Sequence, residues 1–269
     1  TDVSYMGCAS HPFICPPNKH QRVYPASGVR WRTEQRRRLP CGHAFCYGQR
    51  TSREETQHRL HVSNKTPALT SLNFIDGKAT NRGIQSKNNL QIDQNNPDTQ
   101  EPGLLVRAAL FRSAALQAFA FPKTLARPTL SKYQPGMKYG RHVDAPLFPS
   151  QPSPMRSDLS CTVFISDPES YEGGELVIHL GDHTCEFKCP AGHALVYAST
   201  TVHEVRPVTA GERLVAISWM QSYIPDAGQR ETLVRLQNVI NNEHKNMSSD
   251  SLTELEAARA NLYRMWAEV

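Results

Sequence analysis

Between Thr129 and Tyr223 the chain is a succession of short apolar runs, each closed within a few residues by a Gly, Pro or Asp signal. The runs fall at 129–133, 139–143, 159–165, 175–180, 185–189, 194–198, 203–208 and 213–223. Leu159-Ser160-Cys161-Thr162-Val163-Phe164-Ile165 is the clearest, apolar and β-branched as a buried strand must be. Pro135-Gly136, Gly173-Gly174 and Pro190-Ala191-Gly192 punctuate them as turns. Short strands at regular spacing specify an all-β sandwich or barrel. Eight of them suit a double-stranded β-helix, a jelly-roll core over about 126–224.

The flanks have a different period. Leu104, Leu105, Ala108, Phe111, Ala115 and Phe119 recur every three or four residues, which predicts one helix backing the sheet and stopped by Pro122. After Pro225 the helical period returns. Asp226 is the expected N-cap, and Leu233, Leu236, Val239 and Ile240 make one face. Ser251-Leu252-Thr253-Glu254 reads as a capping box for a last helix that turns Leu255, Leu262, Tyr263 and Trp266 inward. The expected fold is therefore mainly β with flanking helices: an N-terminal helix behind the sheet and a C-terminal helical pair. Residues 71–225 form the β domain and 226–269 a helical subdomain. Residues 82–103, rich in Asn, Gln and Asp, read as a surface loop or a short strand with long turns.

Residues 1–70 carry no sustained period and are expected to form a basic, irregular extension. They hold 11 Lys and Arg against 4 Asp and Glu, while residues 71–269 hold 19 against 21. A charge confined to one end is unlike a nucleic-acid binder, whose basic surface belongs to its folded domain. The Arg36-Arg37-Arg38 run is expected to be solvated. No apolar run approaches the roughly 20 residues of a membrane helix. Seven cysteines, odd in number and scattered, suit a reducing cytoplasm better than a disulfide scaffold. Cys8, Cys15, Cys41 and Cys46 lack the paired C-x2-C spacing of a zinc site. Cys185 and Cys189 read as packing residues, and His179, His183 and His193 as packing or surface residues.

The chemistry lies within the strands. His142-x-Asp144 spans one side-chain period of a strand, so both side chains face one way and can grip one ion. His203 lies 61 positions on, and a folded-back sheet would bring it near. Two His and one carboxylate make the facial triad of non-haem Fe(II) oxygenases, with other coordination positions open. An isolated H-x-D occurs by chance in many chains. Arg213 ten residues after His203, and Trp219 six after that, make the set specific. A 2-oxo acid would take two open positions and O2 the third. Arg213 can pair bidentately with the distal carboxylate of 2-oxoglutarate. Tyr133 is a candidate hydroxyl donor to the same co-substrate, and Trp219 a candidate pocket wall. A cupin-like metal-binding jelly roll without oxygenase activity, or an inactive binding or sensor module, are the rival readings. A cupin has no need of a cation ten residues after its last ligand, and the three intact ligand residues count against an inactive module.

From about Asp76 to Val269 the chain resembles the PKHD-type hydroxylases, the PiuC-like branch of the prolyl-4-hydroxylase-like Fe(II)/2-oxoglutarate dioxygenases. The residues that carry the resemblance begin with Tyr133-Gln134, Tyr139-Gly140-x-His142-Val143-Asp144 and Arg156-Ser157-Asp158-Leu159-Ser160. They continue through Phe164-Ile165-Ser166-Asp167-Pro168, Tyr171-Glu172-Gly173-Gly174-Glu175-Leu176, Pro190-Ala191-Gly192, His203-x2-Arg206-Pro207-Val208-Thr209 and Gln221-Ser222. The resemblance implies His142, Asp144 and His203 as iron ligands and Arg213 as the 2-oxoglutarate anchor. It implies ascorbate as the reductant that keeps the iron as Fe(II), and a link to bacterial iron uptake. Residues 1–70 and the four-proline loop 145–155 depart from the pattern. Since that loop would rim the mouth, the resemblance does not carry over a substrate. A small molecule or a peptidyl group both suit the pocket, and a symmetric homodimer is the default expectation for assembly.

Overall fold

The computed structural model describes residues 72–80, 86–94, 96, 99–149 and 153–269, together with the backbone of two short strands, β1 (Val23–Pro25) and β2 (Ala44–Tyr47). The rest of 1–70, with the Arg36–Arg38 run and the cysteines at 8, 15 and 41, lies outside the described residues. The domain begins with β3 (Phe74–Asp76), β4 (Lys87–Asn88) and β5 (Leu90–Ile92). Helices α1 (Gln100–Arg112) and α2 (Ala114–Ala120) follow, then β6 (Pro122–Leu125), β7 (Thr129–Tyr133) and β8 (Lys138–His142). Next come β9 (Leu147–Phe148), β10 (Met155–Arg156), β11 (Leu159–Phe164), β12 (Tyr171–Gly173), β13 (Leu176–Leu180) and β14 (His183–Phe187). The series closes with β15 (Ala194–Ala198), β16 (His203–Val205), β17 (Val208–Gly211), β18 (Arg213–Ser222), α3 (Ala227–Glu243) and α4 (Ser249–Trp266).

Two antiparallel sheets face each other, as the expected jelly roll requires. The larger runs β2-β15-β11-β18-β7-β5-β3, with β6 also paired to β18; the smaller runs β1-β14-β13-β16-β8-β4. Alternation decides what each face meets. Tyr133, Phe164, Leu195, Tyr197 and Val215 from the larger sheet pack against Leu176, Ile178, Phe187 and Val205 from the smaller. From the other face of the larger sheet, Leu159, Cys161, Val196 and Met220 pack with Leu110, Leu116, Phe119, Leu233 and Val234 of the helices. Being covered on both sides is why β11 and β15 read as near-continuous apolar runs. One inward side chain of this kind buries roughly 1.5–3 kcal/mol of transfer free energy.

Three local expectations are corrected and a fourth, left open between two readings, is resolved. The helix predicted over 104–119 is two helices bent by 73°. Ser113 takes extended backbone angles and accepts a hydrogen bond from Leu116 N, so it caps α2 instead of continuing α1. The bend redirects the face: Leu110, Leu116 and Phe119 are buried, while Leu104, Leu105 and Phe111 are exposed. The last helix is capped by Ser248, which accepts from Ser251 N at 3.2 Å, one turn earlier than the predicted box. The run 203–208 is split at Arg206-Pro207, because proline offers no N–H to a ladder. Val208 pairs with Gly173 instead, in the separate β12–β17 ribbon. Finally, of the two readings of 82–103 the short strand holds and the surface loop does not, since 87–92 forms β4 and β5. Lys87, Asn89 and Gln91 are 3%, 2% and 3% exposed, on a segment that leaves the smaller sheet at β4 and enters the larger at β5.

Candidate active site

His142 ends β8 and His203 opens β16, and the two strands pair with these residues opposite each other. Asp144 lies two residues past His142, beyond the end of β8. One ligand atom from each of the three lies within 4.8 Å of the others. Among the described residues no other group of His, Cys, Asp and Glu is so placed. His179, which lies 3.4 Å from Glu204, His183 and His193 stay outside the cluster, as expected.

Hydrogen bonds determine which atoms of the cluster face inward. His142 Nδ1 lies 2.7 Å from Gly140 O, and His203 Nδ1 lies 2.9 Å from Thr201 O. A carbonyl only accepts, so each Nδ1 carries the proton and each Nε2 presents a lone pair. Asp144 Oδ2 accepts from Ser160 Oγ at 2.5 Å, and that hydroxyl is 2.8 Å from Ser199 Oγ. Tyr139 stacks on the His142 ring at 3.7 Å and Tyr197 meets His203 edge-on at 5.0 Å, restricting both imidazoles. Burial, and then the neighbouring His203, push His142 down to about 4, which keeps it neutral and able to ligate.

Arg213 stands at the first position of β18, paired with Tyr133 on β7. It is 1% exposed. Its guanidinium lies 5.0 Å above the Tyr133 ring and 5.7 Å from that of Phe164. Gly174 makes room for it: a Cβ there would fall 2.9 Å from Arg213 Cδ, and φ of +68° already suits glycine. Nε and Nη1 of Arg213 have no hydrogen-bond partner, and among the described residues no carboxylate forms an ion pair with it. A buried guanidinium with two unsatisfied nitrogens and no carboxylate against it costs several kcal/mol, a cost an anion would remove. Burial raises the Tyr133 phenol above its ordinary range, opposed by Arg213 and by a hydrogen bond from Asn89.

Trp219 shares the inward face of β18 with Arg213 and lies about 20 Å further along the strand, at roughly 3.3 Å per residue. It pairs with Ser160, the residue that holds Asp144. Its ring meets Phe148 at 4.4 Å, so the β9–β10 hairpin reaches the metal-side end of the pocket. The six singled-out side chains thus divide between one end with His142, Asp144, His203 and Trp219, and another with Arg213 and Tyr133. The sequence reading gave no role to Ser160, Ser199 or Asn89. No local signal marks Asn89, which sits within an Asn-rich stretch.

The donor set suits iron, since imidazole and carboxylate ligands with open positions are the non-haem Fe(II) arrangement. The buried guanidinium suits a dicarboxylate. An Fe(II) site beside an anchor for an anionic co-substrate defines a 2-oxoglutarate-dependent oxygenase. Residues 128–221 match the 2OG-Fe(II) oxygenase superfamily. A PKHD-type hydroxylase of Sphingopyxis alaskensis is 42% identical over 193 residues, 72% of this chain and 88% of that protein. One from Picosynechococcus is 41% identical over 208 residues, 76% of this chain and 92% of that protein. A solved prolyl-4-hydroxylase of Pseudomonas putida is 21% identical with a TM-score of 0.39, covering 55% of this chain and 77% of that one. The chain belongs to the PKHD-type hydroxylases. It is a 2-oxoglutarate-dependent dioxygenase of a family that uses Fe(II), 2-oxoglutarate and O2, typically with ascorbate.

Proposed function

We propose that His142 Nε2, His203 Nε2 and the Asp144 carboxylate hold Fe(II), and that Arg213 with Tyr133 holds 2-oxoglutarate. The substrate, a small molecule or a peptidyl group, is then hydroxylated at the end of the pocket walled by Trp219 and Phe148. The observation that carries this reading is the pairing of an open three-ligand cluster with a buried guanidinium whose Nε and Nη1 lack partners. When bound, the iron supplies the redox chemistry that couples decarboxylation of 2-oxoglutarate to insertion of an oxygen atom into a C–H bond. The chain's own residues do the rest. Gly140 and Thr201 carbonyls fix the ligand tautomers, Ser160 holds Asp144, and Arg213 and Tyr133 orient the co-substrate carboxylate in a site that excludes water. Arg213 is also what a cupin-like metal site would not need.

The three free cysteines among the described residues, two of them buried, support a reducing cytoplasm as the working compartment. Among the described residues no single helix is long and apolar enough to cross a membrane. The test is anaerobic titration of the protein with Fe(II) and then 2-oxoglutarate, following the visible charge-transfer band, with succinate release on admitting air. The band is expected in the wild type, absent in His203→Ala, and shifted to far higher 2-oxoglutarate in Arg213→Ala. A wild type that shows no band and releases no succinate would sink the proposal.

A further inference from the structure

Behind Tyr133 stands a buried amide that no step so far has used. Asn89 joins β4 to β5, where the chain crosses between the two sheets. Its carbonyl accepts from Gly77 N at 2.8 Å, and its side chain rests on the same glycine: a Cβ at Gly77 would fall 1.9 Å from Asn89 Oδ1. On the other side Asn89 Nδ2 donates to the Tyr133 hydroxyl at 3.1 Å. The neighbours on that face hold the crossing segment in place. Lys87 Nζ donates to Gln91 Oε1 at 3.2 Å, and Gln91 Nε2 donates to Ser131 Oγ at 3.2 Å. Asn89 Oδ1 is buried without a hydrogen-bond partner. Turning the amide over would instead bury two donor hydrogens against Gly77, and orphaned N–H groups are rarer than under-satisfied carbonyl oxygens.

A phenol has one proton to give. With Asn89 donating to the Tyr133 oxygen, that proton is directed away from Asn89. The nearby Arg213 guanidinium is a donor throughout and cannot receive it. The acceptor that suits both is an anion bound by Arg213. We propose that Asn89 is a positioning residue for 2-oxoglutarate: by donating to Tyr133 it turns the hydroxyl's proton toward the carboxylate that Arg213 holds. This rests on the dioxygenase reading above and extends the co-substrate site to the crossing segment.

The test uses the full chain loaded with Mn(II), with 2-oxoglutarate binding followed by anaerobic calorimetry. Asn89→Ala is expected to weaken 2-oxoglutarate about tenfold, the scale of one hydrogen bond to a charged system, and to leave Mn(II) affinity within about twofold. Tyr133→Phe should lose a similar factor, and the double variant should bind no more weakly than Tyr133→Phe alone. Asn89→Asp keeps the side chain's shape and offers Tyr133 an acceptor, so it should lose at least as much as Asn89→Ala; it carries the test if Asn89→Ala does not fold. Wild-type affinity in Asn89→Ala or Asn89→Asp, or a double-variant loss equal to the product of the single losses, would overturn the role of Asn89. A metal-loaded wild type that binds no 2-oxoglutarate would overturn the dioxygenase reading itself, and the role of Asn89 with it.

Discussion

The two ends of the pocket are built on opposite principles. At the metal end, each ligand is held by the protein before anything binds: Gly140 and Thr201 carbonyls hold the two Nδ1 atoms, and Ser160 holds the Asp144 carboxylate. At the anchor end, Arg213 is surrounded by rings of Tyr133 and Phe164, and two of its nitrogens have no partner. The first end is preorganised, with the lone pairs left over pointing one way. The second is complete only when an anion arrives. Preorganisation spends stability on geometry that metal binding uses, whereas an unpaired buried charge spends stability on specificity for a carboxylate.

The largest effect is expected at the preorganised end. Binding energies of about 10–16 kcal/mol for four-ligand structural zinc sites amount to roughly 2.5–4 kcal/mol per ligand, the scale to expect for one ligand here. His203→Ala should therefore weaken Fe(II) binding by about a few hundredfold. Circular dichroism should stay unchanged, because the substitution removes a buried ring but none of the backbone pairing of β16 with β13 and β8. Tight Fe(II) binding by His203→Ala would mean that the metal is held elsewhere, and the comparison would collapse.

The anchor end should respond in two directions at once. With Arg213 as the proposed anchor, Arg213→Met removes one partner of a buried charge pair, which costs about 2–5 kcal/mol, so 2-oxoglutarate should bind about a hundredfold more weakly or worse. The same change removes an uncompensated buried charge and fills its volume with an apolar chain. The metal-free variant should therefore melt at the same temperature as the wild type or higher. Differential scanning calorimetry without ligand, set beside calorimetric 2-oxoglutarate titration, checks both. A marked fall in melting temperature would show that Arg213 is already satisfied in the resting protein.

How much of this was readable beforehand follows the same division. The strand series and the clustering of His142, Asp144 and His203 were legible because each rests on a local signal: turn residues, β-branched runs, the two-residue spacing of His142 and Asp144. Arg213 was legible by its interval from His203, and its charge made a burial role arguable. Ser160 and Asn89 were not, since a serine in a strand and an asparagine in an Asn-rich segment look like ordinary surface residues. Their roles arise from pairings 16 and 44 residues apart, which only the sheets create. The bend at Ser113 failed for a related reason. Helical periodicity runs through 104–119 on paper, but the serine hydroxyl's competing bond to Leu116 N outweighs it. Gly174 was seen as a turn residue, yet its lack of a Cβ also clears space for Arg213.

The smallest effect sharpens the comparison most, because it concerns how rigidly the metal end is held and not whether it exists. Ser160→Ala deletes the hydroxyl that donates to Asp144 Oδ2 and leaves the carboxylate with the His203 ring at 3.7 Å as its nearest partner among those described. Loss of such an outer partner of a metal ligand costs about ten- to a hundredfold in affinity, and the lower figure is expected here, since Asp144 remains in place two residues from His142. At saturating metal, 2-oxoglutarate should bind Ser160→Ala as tightly as the wild type, because nothing at the Arg213 end has changed. Fe(II) affinity falling about tenfold with an unmoved 2-oxoglutarate constant would establish that the two ends are tuned separately. A parallel loss in both would show that Ser160 shapes the whole pocket through β11, whose paired strand β18 carries Arg213 and Trp219 alike.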